Sequence, residues 1–231
     1  MAESILRLQS VKKSYGTVVK TTVLHGIDLE FPPESFNAII GQSGSGKSTL
    51  LNIIGTLDVP DEGAVYINER RVDTLKPKEL SRVRNRTLGF IFQYHYLLPE
   101  FTAFENILIP YRMHHKHIDK ETLAYANELV AYVGLEAVKN NRAMEMSGGQ
   151  QQRTAIARAL INRPSIILAD EPTGSLDSDS SEAVYALLRR INKELKTTFI
   201  LITHDKKIAE RADRMIEISD GRIVMDVDML A

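Results

Sequence analysis

The sequence predicts an α/β fold. A parallel sheet with its helices forms the core, short antiparallel strands stand at the N-terminal end, and a helical lobe is inserted. Three observations predict it. The runs Ser165-Ile166-Ile167-Leu168-Ala169 and Thr198-Phe199-Ile200-Leu201-Ile202 are almost continuously apolar, the pattern of strands buried on both faces. The segment between them places Val184, Leu187, Leu188, Ile191 and Leu195 on one helix face, so strand, helix and strand alternate as in a parallel sheet. From residue 94 to about 160, helical stretches dominate and strand signals are few.

Along the chain, residues 4–40 alternate apolar and polar, with Val23, His25, Ile27, Leu29 and Phe31 on one face, and Asn37-Ala38-Ile39-Ile40 runs into a glycine. This predicts several short strands, partly antiparallel. A helix is expected from Lys47 to Ile54, and strands at 63–68 and 88–92. In the lobe, Leu123, Ala126, Leu129, Val130 and Val133 give one helix face, with Asp119 as its N-cap. Asp220-Gly221, between 215–218 and 222–227, predicts a hairpin.

Composition narrows the function. The 231 residues suffice for one sizeable domain, or one with a lobe set into it. Lys and Arg total 29 against 30 Asp and Glu, a formal charge of −1, which argues against nucleic acid as the partner. The absence of cysteine excludes disulfides, thiolate zinc sites and thiol catalysis. No apolar run approaches the roughly 18 residues of a membrane span. Met1-Ala2-Glu3-Ser4-Ile5-Leu6-Arg7 has no basic stretch followed by an apolar block, so no signal peptide is expected. The product should remain in the cytosol and reach a membrane only through a partner.

Gly41-Gln42-Ser43-Gly44-Ser45-Gly46-Lys47-Ser48-Thr49 fits G-x-x-x-x-G-K-[ST] between a strand and a helix. Its glycines admit close backbone approach to a phosphate, and the helix N-terminus adds its positive end. Lys47 can reach the terminal phosphates and Ser48 can ligate Mg²⁺. Alone the loop says only nucleotide phosphate. The apolar strand ending at Ala169 delivers Asp170, suited to hold the Mg²⁺ hydration shell, and Glu171, suited to deprotonate water for in-line attack on a γ-phosphate. His204 ends the next buried strand, a placement that favours a role at the same phosphate. Ser147-Gly148-Gly149-Gln150 opens a further helix and is a second anion site by type. Two such elements could serve one nucleotide, or share nucleotides between two chains.

These motifs, in this order, resemble the ATPase subunit of an ABC transporter over residues 4–226. Gly41–Thr49 is similar to the Walker A loop, and Ser147–Gln150 to the signature, with Met146 where leucine is usual. Residues 166–170 with Glu171 resemble Walker B and the catalytic glutamate. Ser175-Leu176-Asp177 resembles the D-loop, His204 the switch histidine, Gln93 the Q-loop glutamine that touches the metal or its water, and Tyr15 the aromatic that stacks on adenine.

The resemblance implies a P-loop NTPase core at about 4–93 and 161–226, with an antiparallel β subdomain and an α-helical subdomain at about 94–160. It implies ATP and Mg²⁺ as cofactors. It also implies a homodimer in which Walker A of one chain and the signature of the other sandwich each ATP. An integral membrane subunit would dock near Tyr94, His95 and Tyr96, placing the chain at the cytoplasmic face of the inner membrane. The stretch 92–106 is similar to ATPases of lipoprotein-releasing systems, in a branch shared with macrolide-exporter and cell-division ATPases. A soluble ABC ATPase of repair or translation usually has a second cassette, a coiled coil or a zinc module. A P-loop kinase would have no use for the signature.

Two further stretches are weighed against these. The basic run 69–86 could face anionic headgroups, but Glu69, Asp73 and Glu79 dilute it into an ordinary solvated face. His114-His115-Lys116-His117 lacks the carboxylates or cysteines of a metal site and is expected to be an exposed connector.

Overall fold

The computed structural model describes residues 4–17 and 19–230; Met1, Ala2 and Glu3, part of the segment from which no signal peptide is expected, lie outside the described residues. In chain order come β1 (Leu6–Tyr15), β2 (Thr21–Phe31), β3 (Phe36–Ile40), α1 (Lys47–Ile54), β4 (Glu62–Ile67), β5 (Arg70–Arg71), α2 (Pro77–Thr87) and β6 (Leu88–Phe92). They are followed by α3 (Ala103–Arg112), α4 (Lys120–Tyr132), α5 (Gly148–Leu160), β7 (Ile166–Asp170), α6 (Ser178–Leu195), β8 (Thr198–Ile202), α7 (Lys206–Ala209), β9 (Arg214–Ser219) and β10 (Arg222–Asp228). Two compact units result: the described residues of Met1–Arg84 with Asn192–Ala231, and Asn85–Ile191.

In the first unit, β2-β1-β4-β5 form an antiparallel sheet. A second group runs β10-β9-β3-β8, with β3 parallel to β8 and β9, and β9–β10 the expected hairpin. Every residue of β3 and β8 is buried, which explains why all but Asn37 and Thr198 are apolar; the Asn37 amide donates to the Phe199 carbonyl at 3.0 Å. Phe36 and Phe199 stack between them with ring centroids 5.2 Å apart. The alternation expected in β2 holds only from Ile27 onward. Leu24 is fully buried while Val23 and His25 are half-buried. The cause is a set of bulges: the β1–β2 register slips between Leu8 and Val11, again where Val11 and Lys12 face Ile27 and His25, and again before Ser14. Each slip by one residue turns the side chains to the other face.

In the second unit, β6 pairs in parallel with β7, from Leu88 opposite Ile166 to Phe92 opposite Asp170. The helices begin with side-chain caps. Thr102 and Glu105 form a capping box on α3, and Asp119 caps α4 as expected, accepting from the Thr122 N–H at 2.7 Å. Leu123 and Leu195, expected on inner faces, are 37% and 41% exposed. Leu123 lies in the first turn of α4 and Leu195 is the last residue of α6, while Ala126, Leu129, Val130 and Val133, and Val184, Leu187, Leu188 and Ile191, are buried.

Helix α2 lies outside the elements expected from the sequence, because it buries no residue and carries only two large apolar side chains, Leu80 and Val83. Its surroundings are paired: Arg70 with Glu79 at 2.8 Å and Arg71 with Asp73 at 2.9 Å. In the histidine run, His115 stacks on Tyr111 at 4.0 Å. Among the described residues no group of three His, Asp or Glu could hold a metal by itself, and no helix is long and apolar enough to cross a membrane.

Candidate nucleotide site

In the first unit, the loop 41–49 links β3 to α1. Gly41 has φ +155°, and a Cβ there would meet the Ile218 carbonyl at 2.2 Å, so only glycine fits. Gly46, with φ +106°, precedes α1 in the left-handed region. No side chain caps α1, so its first N–H groups face the loop without a protein partner of the usual kind. That is the arrangement of an anion site. The buried Lys47 ammonium donates to the Gly41 and Gln42 carbonyls, both at 2.7 Å. Ser45 is 6% exposed and its hydroxyl has no hydrogen-bond partner, an orphaned polar atom that a phosphate oxygen would satisfy. Ser43, Gly44 and Ser48 are exposed and Thr49 half-buried. The β9–β10 hairpin clips the loop: the Gly221 N–H donates to the Ser45 carbonyl at 2.9 Å, and the Gly221 carbonyl accepts from the His25 N–H at 2.9 Å.

Tyr15 lies at the end of β1, 43% exposed. Its hydroxyl donates to Asp58 Oδ2 at 2.7 Å. Asp58 Oδ1 also accepts from Lys13 Nζ at 2.7 Å. Burial opposes ionisation of Asp58, but the bonds from Lys13 and Tyr15 outweigh it and hold the carboxyl below its ordinary range. His204 follows β8 and is exposed.

The second unit gathers another set. Asp170 closes β7, and Glu171 follows with φ +45°. A Cβ on Gly174 would lie 2.9 Å from the Gln93 amide nitrogen and 3.2 Å from Glu171 Oε2. Both side chains therefore close around this glycine. The Ser175 hydroxyl donates to the Gln93 carbonyl at 2.9 Å. Asp177 caps α6 through the Ser180 N–H at 2.9 Å, and that bond is the largest cause of its lowered pKa. Within this unit the Asp170 carboxylate and the Gln93 amide are oxygen donors of the kind that suits Mg²⁺, an ion that keeps waters and takes phosphate oxygens.

Ser147–Gln150 start α5 as a capping box. The Ser147 oxygen accepts from the Gln150 N–H at 3.3 Å, and the Gln150 side chain accepts from the Ser147 N–H at 2.9 Å. Ser147 and Gly148 are exposed, while Met146 is buried at its apolar position.

Three residues escaped the sequence reading. Asp58 is one. Gln152, fully buried on the apolar side of α5, donates to the Pro172 carbonyl at 2.6 Å and ties this helix to the turn after Glu171. Arg158, also on α5, donates to the carbonyls of His95 at 2.5 Å and Tyr96 at 2.6 Å. Burial pulls its pKa down to about 10. This fork holds two consecutive left-handed residues, His95 at φ +59° and Tyr96 at φ +47°. The three expected docking residues divide accordingly: Tyr94 and Tyr96 are 69% and 63% exposed, but His95 is buried.

The family described as ABC transporter matches residues 24–174. The chain is 49% identical to the lipoprotein-releasing system ATP-binding protein LolD 1 of Rhodopseudomonas palustris, covering 95% of this chain and 98% of that protein. It is 47% identical to the LolD of Anaeromyxobacter dehalogenans, over 98% of this chain and 95% of that one. Among solved structures, a dimeric ATP-binding cassette in a post-hydrolysis state with ADP and Pi superposes with a TM-score of 0.88 at 39% identity, covering 97% of this chain and 98% of that one. A dimeric bacterial ABC transporter cassette matches with the same TM-score of 0.88 and identity of 39%, covering 97% of this chain and 98% of that one.

Proposed function

This chain belongs to the ABC transporter family, and from that premise we propose that it is the ATP-hydrolysing subunit of a lipoprotein-releasing system. The cargo reading is supported by its relatives: those of Rhodopseudomonas palustris and Anaeromyxobacter dehalogenans are both lipoprotein-releasing ATP-binding proteins. The observation that carries the chemistry is the uncapped start of α1 beneath a glycine loop, with the Lys47 ammonium held at its mouth.

Lys47 and the α1 N–H groups grip the β- and γ-phosphates. Glu171 takes a proton from the attacking water, and His204 holds the γ-phosphate geometry. Mg²⁺, held by Ser48, Asp170 and Gln93, would supply charge neutralisation on the phosphates. Tyr15 stacks on adenine. Two copies pair so that Ser147, Gly148, Gly149, Gln150 and Asp177 of one chain face the nucleotide of the other. Membrane subunits dock at Tyr94 and Tyr96, which keeps the chain at the cytoplasmic face of the inner membrane. His95 supports that loop from inside, since it is buried.

The test is detergent co-purification of tagged Glu171→Gln protein with ATP. A membrane protein carrying acylated lipoproteins is the expected companion. Cell-wall hydrolase regulators in its place would assign the cell-division branch, and ribosomes or repair factors would overturn the transport reading.

A further inference from the structure

The strand β1 ends on Tyr15, and that phenol is held from two sides. Its hydroxyl donates to Asp58 Oδ2 at 2.7 Å. The Lys13 ammonium lies 5.2 Å from the ring centroid. Lys13 is itself pinned, to Asp58 Oδ1 and to the Val59 carbonyl, both at 2.7 Å. Asp58 Oδ1 also accepts from the Val59 N–H at 2.7 Å. One carboxylate thus takes the ring's hydroxyl, the cation beside the ring and the backbone of the turn after α1. The neighbouring Asp61 repeats the bracing, accepting from the Ser14 N–H at 2.7 Å.

A tyrosine ring at the surface ordinarily samples several rotamers, and a planar ligand that stacks on it must bear the cost of stopping that motion. Here the ring is stopped beforehand and yet remains 43% exposed. With a cation near it, the ring is polarised and keeps a face for a planar, electron-rich base.

We propose that Asp58 is a positioning residue for nucleotide recognition: it locks the Tyr15 ring as a preformed base platform. This rests on the reading that Tyr15 stacks on the base. It predicts that Asp58 affects ligands that carry a base and not those made of phosphate alone.

The experiment compares two probes by calorimetry on the full chain, MgATP and magnesium tripolyphosphate, which has the phosphates and no base. Asp58→Ala and Tyr15→Phe are expected to lower the ratio of ATP to tripolyphosphate affinity about three- to tenfold, the cost of immobilising one aromatic side chain on binding. Asp58→Asn, which keeps an acceptor oxygen for the phenol, should restore most of that ratio. An ATP affinity that falls in Tyr15→Ala and stays unchanged in Asp58→Ala and Tyr15→Phe would overturn the positioning role while leaving the platform intact. An unchanged ratio in Tyr15→Ala would remove the platform itself. Equal loss of both probes in Asp58→Ala would make the carboxylate a brace of the turn, and the proposal would fail.

Discussion

Replacing Ser147 by Asp should make α5 slightly more stable and abolish nucleotide-driven pairing of two chains. The magnitudes come from the cap. Ser147→Ala removes one oxygen that accepts from the Gln150 N–H at 3.3 Å, a long bond. Its loss belongs in the lower part of the N-cap range, about 0.5–1 kcal/mol, or roughly 1–4 °C in a chain of this size. Asp is as good an N-cap as Ser, and its charge at the helix start adds ~0.3–1 kcal/mol. If Ser147 faces the partner's γ-phosphate, however, the new carboxylate meets an anion. At about 4 Å and an effective dielectric near 20, each pair of like charges costs on the order of 4 kcal/mol, roughly a thousandfold in pairing. Stability and pairing therefore move in opposite directions in Ser147→Asp, whereas misfolding would lower both. Urea unfolding reads the first, and light scattering of the Glu171→Gln double variant with MgATP reads the second. Undiminished pairing in Ser147→Asp would refute the idea that this helix start faces a phosphate.

Three other perturbations follow from the same geometry. Glu171→Gln should bind MgATP and hydrolyse it ~10²–10⁴-fold more slowly; full turnover in a steady-state phosphate assay would move the base elsewhere. Arg158→Lys keeps a cation but loses the fork to the His95 and Tyr96 carbonyls. It should cost about 1–3 kcal/mol in urea unfolding and expose 95–96 to limited proteolysis, with a wild-type digestion pattern as the contrary result. His95 is held neutral, first by burial and then by the Arg158 charge. Its folded pKa is depressed, so the unfolded chain binds the extra proton below the ordinary value of 6.5. Stability is therefore present above pH 6.5 and is lost as pH falls. Between pH 7.5 and 5.5, His95→Gln should show a flatter decline of the urea midpoint than the wild type, and parallel slopes would exclude His95 as the group responsible.

The parts legible in the sequence are those whose cause is local. Residues 166–169 and 198–202 are buried throughout, so their apolar runs needed no context to interpret. The phosphate loop and the Ser147–Gln150 cap carry their geometry in residue types at fixed spacing. What was not legible depends on partners far along the chain. Arg158 looks like an ordinary charge on an amphipathic helix, and its fork is taken by carbonyls 63 and 62 positions away. Asp58 is one acid in a turn, and Lys13 and Tyr15 reach it from 45 and 43 residues upstream. His95 was expected at the surface beside Tyr94 and Tyr96, but the left-handed turn at 95–96 points it inward. The bulges in β1 and β2 likewise arise from pairing, which a strict alternation of apolar residues does not reveal.

The two helix starts differ in a way that orders their use. At α1 no side chain occupies the first N–H groups, and Lys47 adds a full cation, so this end can hold phosphate within one chain. At α5 the capping box already satisfies the Ser147 and Gln150 N–H groups. What remains is the N–H of Gly148 and of Gly149 and the Ser147 hydroxyl proton, with no charge of its own. Such a site is weak in isolation and gains strength only when a phosphate is brought to it already positioned and shielded from water. In the proposed pairing, α1 must therefore bind first and α5 second. Nucleotide affinity of the single chain should be set by the α1 loop, and the chain-to-chain contact should depend on a nucleotide already being there.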